Sequence, residues 1–497
     1  MHMGPMITGS WWLLALAIGQ TGPLTPATPQ DPAVPREHGR SVLKNGDFND
    51  WTGGVPDGWD LAIGASNGGP RPLSMVRQGE GPSLELSGDG QTLAWQMVSQ
   101  TIPVMPGEVW RIRYMVRTRG LQREGNQYDN CFVGLFQKSA EGRVIERSSW
   151  RNDVTQYTEV SVTTRIRSPA SEAQLLIFLS QTGTMNVKNI RLEKVEPEES
   201  FDLMVSDMRR RYSFFDQRQV DWGDLVRRHQ AAGRAAETPR QFIEVARAML
   251  GELEDMHVWI EFDGDRIRTH TSRMPGNHDF PLIDGELVDR RQIGRLAVVG
   301  RTAEGFGYVR VTSLSRIAPQ AAAELTAEIE KLFDAPGLIV DIRSNGGGNE
   351  RVARGIASLF TDETLPYARQ KFRTGSEANE FYETAPRTLE PRQGGDSYAG
   401  PVVCLIGPGA ISSGEGMALM MAALPRCTLI GLPTRGSSGN PRPVALPNGV
   451  DVWYSRWVPM TPAGQPIEGV GVQPDIRVEH AAGDPAWERA LEFLREP

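Results

Sequence analysis

Residues 337–349 read GLIVDIRSNGGGN. An unbroken apolar run bounded by glycine, too short for a helix, is the pattern of a strand buried on both faces of a sheet. The run ends in three glycines, Gly346, Gly347 and Gly348, which allow positive φ and close approach of another backbone. No Gly-Lys-Ser/Thr follows, so the turn is not a phosphate loop. Outward from it the chain alternates strand and helix. Upstream, GFGYVRVTSL from Gly305 reads as a strand and residues 318–333 as a helix. Downstream, PVVCLIG and CTLIGL are strands on either side of a helix that begins after Ser412. VALPNGVDVWYSRWVPM is a hairpin turning at Asn448-Gly449, and a last helix starts at Asp484. Strands alternating with helices predict an α/β domain over residues 305–497.

The N-terminal half has a different rhythm. Residues 41–196 hold short alternating runs such as VWRIRYMVRTR, NCFVGLFQK and AQLLIFLSQ, separated by Gly, Asn, Asp and Pro. That spacing predicts an all-β sandwich. Residues 197–264 turn helical, with Thr238-Pro239 as a helix start and a strand at LEDMHVWIEF. Residues 265–304 form a connecting β segment. At the front, residues 1–22 carry a short apolar core (WWLLALAIG) that suits a secretory signal, and residues 23–40 are a Pro-rich linker. The expected location is therefore extracytoplasmic, periplasmic or secreted.

The chain has 497 residues, too many for one compact domain, so it is multidomain. Its net charge of −8 gives no basic footprint and argues against nucleic acid as a partner. No run is long enough to serve as a transmembrane anchor. Cys131, Cys404 and Cys427 have no metal-ligand spacing and read as small apolar residues. Neither a cofactor nor a metal is implied.

Three segments of the last third carry chemistry: the glycine turn, GAISSGEGMALMMAAL at 409–424, and GQPIEGVGVQPDI at 464–476. Ser412 ends a strand and precedes a helix, where the positive end of the helix dipole favours developing negative charge. The bland reading of Ser412 is an N-cap. The N–H groups of Gly347 and Ser413 are candidate oxyanion donors. Glu415 is read as a helix-start charge in preference to a residue lining the site.

These three ordered motifs resemble the C-terminal processing peptidase family. It includes tail-specific proteases, the tricorn core peptidase and a retinoid-binding interphotoreceptor protein. DIRSNGGG matches its strand-and-turn motif, Ser412 to Glu415 its nucleophile motif, and Gly464 to Asp475 its late signature. The resemblance implies a peptidase domain of ClpP/crotonase-like fold acting on protein or peptide substrates. One branch takes its base from a lysine in a T-x-G-K-G context; here Ser437 holds that position, and no lysine follows Lys371. The tricorn-like branch uses a histidine after L-x-D-x, which matches His257 in LEDMH, and a glutamate that matches Glu468. The resemblance thus implies Ser412 as nucleophile, His257 as base and Glu468 as its orienter. Met256 stands where that branch has a serine before the histidine. Only about forty residues separate Phe262 from Gly305, too few for the PDZ module of many relatives. Residues 41–196 resemble jelly-roll carbohydrate-binding-like modules in their opening NGDFNDWTGGVPDGW and closing MNVKNIRLEKV. Trp51, Trp59, Trp95 and Trp110 are candidates for stacking on a glycan, with Trp59 and Trp110 expected in the core instead. A non-catalytic ligand- or glycan-binding protein on a peptidase scaffold is the alternative. An α/β-hydrolase reading fits poorly, because residue 410 is alanine where its elbow needs glycine.

Overall fold

The computed structural model describes residues 41–64, 74–77, 82–88, 95–121, 131–151, 155–180, 182–272, 276–315, 317–373 and 381–496. The signal and linker expectations fall on residues 1–40, outside the described residues. The chain divides into two compact units, residues 1–206 with 444–450, and residues 207–443 with 451–497.

The first unit is built on two antiparallel five-stranded sheets. One runs in the order Thr158–Arg165, Val109–Arg119, Gly183–Val195, Pro82–Gly88, Ser74–Arg77. The other runs Asp60–Gly64, Trp95–Pro103, Glu172–Ser180, Cys131–Lys138, Val144–Arg151. Alternation supplies one apolar face per sheet, and the two faces share a core that includes Leu84, Val116, Val133, Ile177 and Leu192. Trp59 and Trp110 lie in that core. The other side of the second sheet carries a row of half-buried aromatic rings. Phe132 and Phe178 are register partners whose rings stack at 4.9 Å, and Trp95 follows Phe178 at 6.0 Å. Arg165 donates through Nη2 to the carbonyls of Leu446 and Val450, in the hairpin tip that groups with this unit.

The helical stretch forms α1 (Ser200–Arg211), α2 (Trp222–Arg234) and α3 (Pro239–Gly251). Thr238 caps α3 through a capping box with Gln241, as the Thr-Pro signal predicts. After α3, residues 252–258 turn into the strand Trp259–Phe262, which pairs with Asp451–Tyr454.

A seven-stranded sheet anchors the second unit. Its strands are β1 (Leu287–Ile293), β2 (Ala297–Thr302), β3 (Gly307–Val311), β4 (Leu338–Asp341), β5 (Val402–Ile406), β6 (Cys427–Gly431) and β7 (Ile476–Arg477), and they lie in sequence order. β1, β2 and β3 pair antiparallel, and β3 through β7 pair parallel. Each parallel connection from β3 to β6 carries a helix: α5 (Pro319–Glu330), α6 (Glu350–Ala357) and α7 (Ser413–Ala422). Val340, Cys404 and Leu429 face these three, while Ile339, Val403 and Ile430 face α4 (Phe280–Glu286) and α8 (Pro485–Arg495). The continuous apolar run of β4 is explained by helices on both faces.

The polar end of that run is equally buried. Arg343 donates to Asp341 and, at 2.6 Å, to Asp484, the N-cap of α8. Asp484 also accepts from the Asp279 N–H at the start of α4. One buried guanidinium thus fixes the loop after β4 against two helix starts.

Candidate active site

The loop after β4 and the loop after β5 meet at Ser412. Asn345 clamps the first, donating from Nδ2 to the Val311 carbonyl and accepting at Oδ1 from Gly347 N–H at 2.9 Å. Its carbonyl accepts from Ile411 N–H in the second loop. Gly347 has φ +84°, and a Cβ there would lie 2.6 Å from the Ile411 carbonyl oxygen and 2.8 Å from Ser412 Cβ. Only glycine lets the turn close on the serine.

Ser412 has φ +59° and ψ −123°, a backbone state that is strained for a non-glycine residue. It occupies the N-cap position of α7, yet its side chain makes no cap hydrogen bond. The bland N-cap reading is therefore not what the geometry shows: a half-buried Oγ is held at a helix start without serving the helix. Beside it, Ser413 begins the helix at its first position, and its Oγ donates to the Gly348 carbonyl. Its N–H makes no hydrogen bond among the described residues, consistent with the orphan donors of a helix start. Gly347 N–H, the other expected oxyanion donor, is already engaged by Asn345.

His257 is buried at the end of the turn after α3. Asp255 holds that turn, accepting from His257 N–H at 2.8 Å, Tyr212 OH at 3.1 Å and Ser455 Oγ at 2.8 Å. The imidazole Nδ1 lies 2.9 Å from Ser437 Oγ. Burial lowers the His257 pKa below its ordinary value, Asp255 opposes that shift, and Arg218 adds to it. Burial thus favours the neutral form of the ring.

Ser437 stands between the two expected catalytic residues. Its carbonyl accepts from Ser412 N–H at 2.9 Å while its hydroxyl meets His257. The turn that bears it is gripped by two carboxylates. Glu415 accepts from Thr434 Oγ1 and from the N–H groups of Gly436 and Ser437. Glu468 accepts from Ser438 N–H at 3.1 Å and from Arg218 Nη2 at 2.6 Å. Burial pushes Glu415 up to about 7 against the pull of its donors. Burial, with the nearby Asp255 charge, pushes Glu468 up to about 8, and Arg218 opposes the shift.

Two expectations change here. Glu415 does lie in the first turn of α7, but its carboxylate is fully buried, because α7 is apolar on all sides and the donors to it lie in the 434–437 turn. Glu468 makes no hydrogen bond to His257 among the described residues; its oxygens are taken by Arg218 and Ser438. Sequence reasoning missed Arg218, Tyr212 and Ser455. Asp255 was visible inside LEDMH, and Glu415 could have been found as the lone charge in GEGMALMMAAL.

Ser412 and His257 each contact Ser437, and the Ser412 side chain makes no capping bond; the class of protein is that of serine-type peptidases, as the relatives below support. Residues 305–478 match the family model described as Peptidase family S41. The chain is 28% identical over 185 residues to the chloroplastic C-terminal processing peptidase of Tetradesmus obliquus, covering 36% of each chain. It is 24% identical over 173 residues to the carboxy-terminal processing protease CtpB of Bacillus subtilis, covering 35% of this chain and 34% of that one. It spans about a third of the length of these curated relatives. A solved structure from Parabacteroides merdae, described as a candidate peptidase, is 26% identical with a TM-score of 0.53, covering 61% of this chain and 97% of that one.

Proposed function

We propose that the chain is an extracytoplasmic serine endopeptidase that cleaves peptide bonds through an acyl-enzyme. Ser412 is the nucleophile. Its Oγ attacks the scissile carbonyl and passes its proton to His257 Nε2, which returns it to the leaving amine. Ser413 N–H and the positive end of α7 stabilise the oxyanion. Gly347 allows close approach of the turn, and Glu468 holds the Ser438 end of the turn opposite His257. Water then hydrolyses the acyl-serine.

The observation that carries this reading is Ser412 itself, strained at φ +59° and without a cap bond. Strain of this kind costs about 1–3 kcal/mol and persists where function requires it. Hydrolysis of a casein or peptide panel tests it. Ser412→Ala is expected to abolish turnover while leaving the fold intact, and retained turnover would contradict the assignment.

The first unit is read as a jelly-roll carbohydrate-binding-like module. The half-buried row of Trp95, Phe178 and Phe132 favours this reading, because flat rings on one sheet face suit stacking on sugars. Glycan-array binding by the full chain, lost in Trp95→Ala, is the expected result; unchanged binding in the variant would remove the row from the argument.

A further inference from the structure

We propose that Ser437 is the positioning residue of His257, taking the orienting role through its hydroxyl from the place where lysine-using relatives carry their base. This rests on the reading of Ser412 and His257 as nucleophile and base. A histidine that accepts a proton at Nε2 must carry its own hydrogen on Nδ1, and the partner of Nδ1 decides which tautomer is present. That partner is Ser437 Oγ, at 2.9 Å and buried. With Nδ1–H donating to Oγ, Nε2 is left as the acceptor. With the Ser437 hydroxyl donating instead, the ring would carry its hydrogen on Nε2 and could not act as a base.

The groups around the ring are few. Asp255 is occupied by the His257 N–H, Tyr212 and Ser455. Glu468 is occupied by Arg218 and Ser438. Met256, the residue before the histidine, has no hydroxyl to offer. Ser437 supplies one from another element, and every other polar group of Ser437 is fixed: its N–H by Glu415, its carbonyl by Ser412 N–H. The hydroxyl therefore stands on a backbone held from both sides, and the nucleophile's own N–H helps to hold it. A neutral hydroxyl in place of a carboxylate stabilises the imidazolium less, which agrees with a ring whose pKa lies below the ordinary value.

The test has two readouts. The first is the tautomer of His257 in the full chain labelled with 15N-histidine, assigned by His257→Gln. The expected result at neutral pH is the Nδ1–H form in the wild type and a shift toward Nε2–H in Ser437→Ala. The second is the rate of inactivation by a fluorophosphonate. Ser437→Ala should slow it about 10²-fold, within the range that a positioned base contributes. Ser437→Thr, which keeps the hydroxyl, should restore most of the rate. An Nε2–H ring in the wild type overturns the proposal without any variant. So does a Ser437→Ala protein with wild-type tautomer and rate, or a Ser437→Thr protein as slow as Ser437→Ala. If fluorophosphonate labels neither serine, the peptidase reading fails while the tautomer measurement still decides whether Ser437 sets the ring.

Discussion

At the residue scale the site is a contest between burial and hydrogen bonding, and each outcome predicts a pH dependence. Burial favours neutral His257, so the base form persists below the ordinary histidine pKa of about 6.5. The acid limb of kcat/KM should therefore fall at a pH below that value; a limb above it would show that the ring is held as imidazolium. Glu415 shifts the opposite way for stability. Its folded pKa, about 7, lies above its ordinary 4.5, so the folded chain binds the extra proton between those values. Its contribution to stability is then present below pH 4.5 and lost as pH rises through about 7. The thermal midpoint should decline between pH 5 and pH 8, with a shallower decline in Glu415→Gln; a slope unchanged by the substitution would contradict this. Ser412 and His257 are singled out through the family motifs they match; their local patterns alone read as an N-cap and a half-buried histidine. Ser437, Glu415 and Arg218 were not legible as one network. Their contacts span 22 to 250 positions, and no periodicity links them.

At the element scale, glycine decides how two loops fit. Gly347→Ala adds a carbon 2.6 Å from the Ile411 carbonyl oxygen at a φ of +84°, so the turn must move away from Ser412. The expected outcome is a loss of about 10²-fold in kcat with folding retained, because a shift of about 1 Å at a reacting group costs that much. Wild-type turnover in this variant would mean that the close approach has no part in catalysis. Asp484 decides how α8 docks. Asp484→Ala leaves the Arg343 guanidinium buried without one of its two carboxylates. Breaking such a pair costs about 3–5 kcal/mol, measurable by denaturant unfolding, and a change below 1 kcal/mol would contradict the account. The elements themselves were read well from the sequence: Val109–Arg119 coincides with its alternating run, and the caps at Thr238 and Asp484 stand where the signals put them. The ion pair hidden in DIR was not read. Asp341 and Arg343 look like strand-end polars until the partner 141 residues after Arg343 is known.

At the scale of the whole molecule, the alternating rhythm gives way to a helical one near residue 197, and the first unit's main segment ends at residue 206. The return of residues 444–450 to that unit was not legible. A hairpin tip is recognisable from Asn448-Gly449, but the guanidinium that binds its carbonyls lies some 280 positions earlier. The proposed catalytic parts likewise come from distant segments, with His257 and Ser437 separated by 180 positions. The most direct test of that assembly is fluorophosphonate labelling of the full chain, with the adduct mapped by mass spectrometry. The account predicts a single adduct on Ser412, absent in Ser412→Ala and formed at least about 10²-fold more slowly in His257→Gln. An adduct on Ser437, or equal labelling without His257, would contradict it.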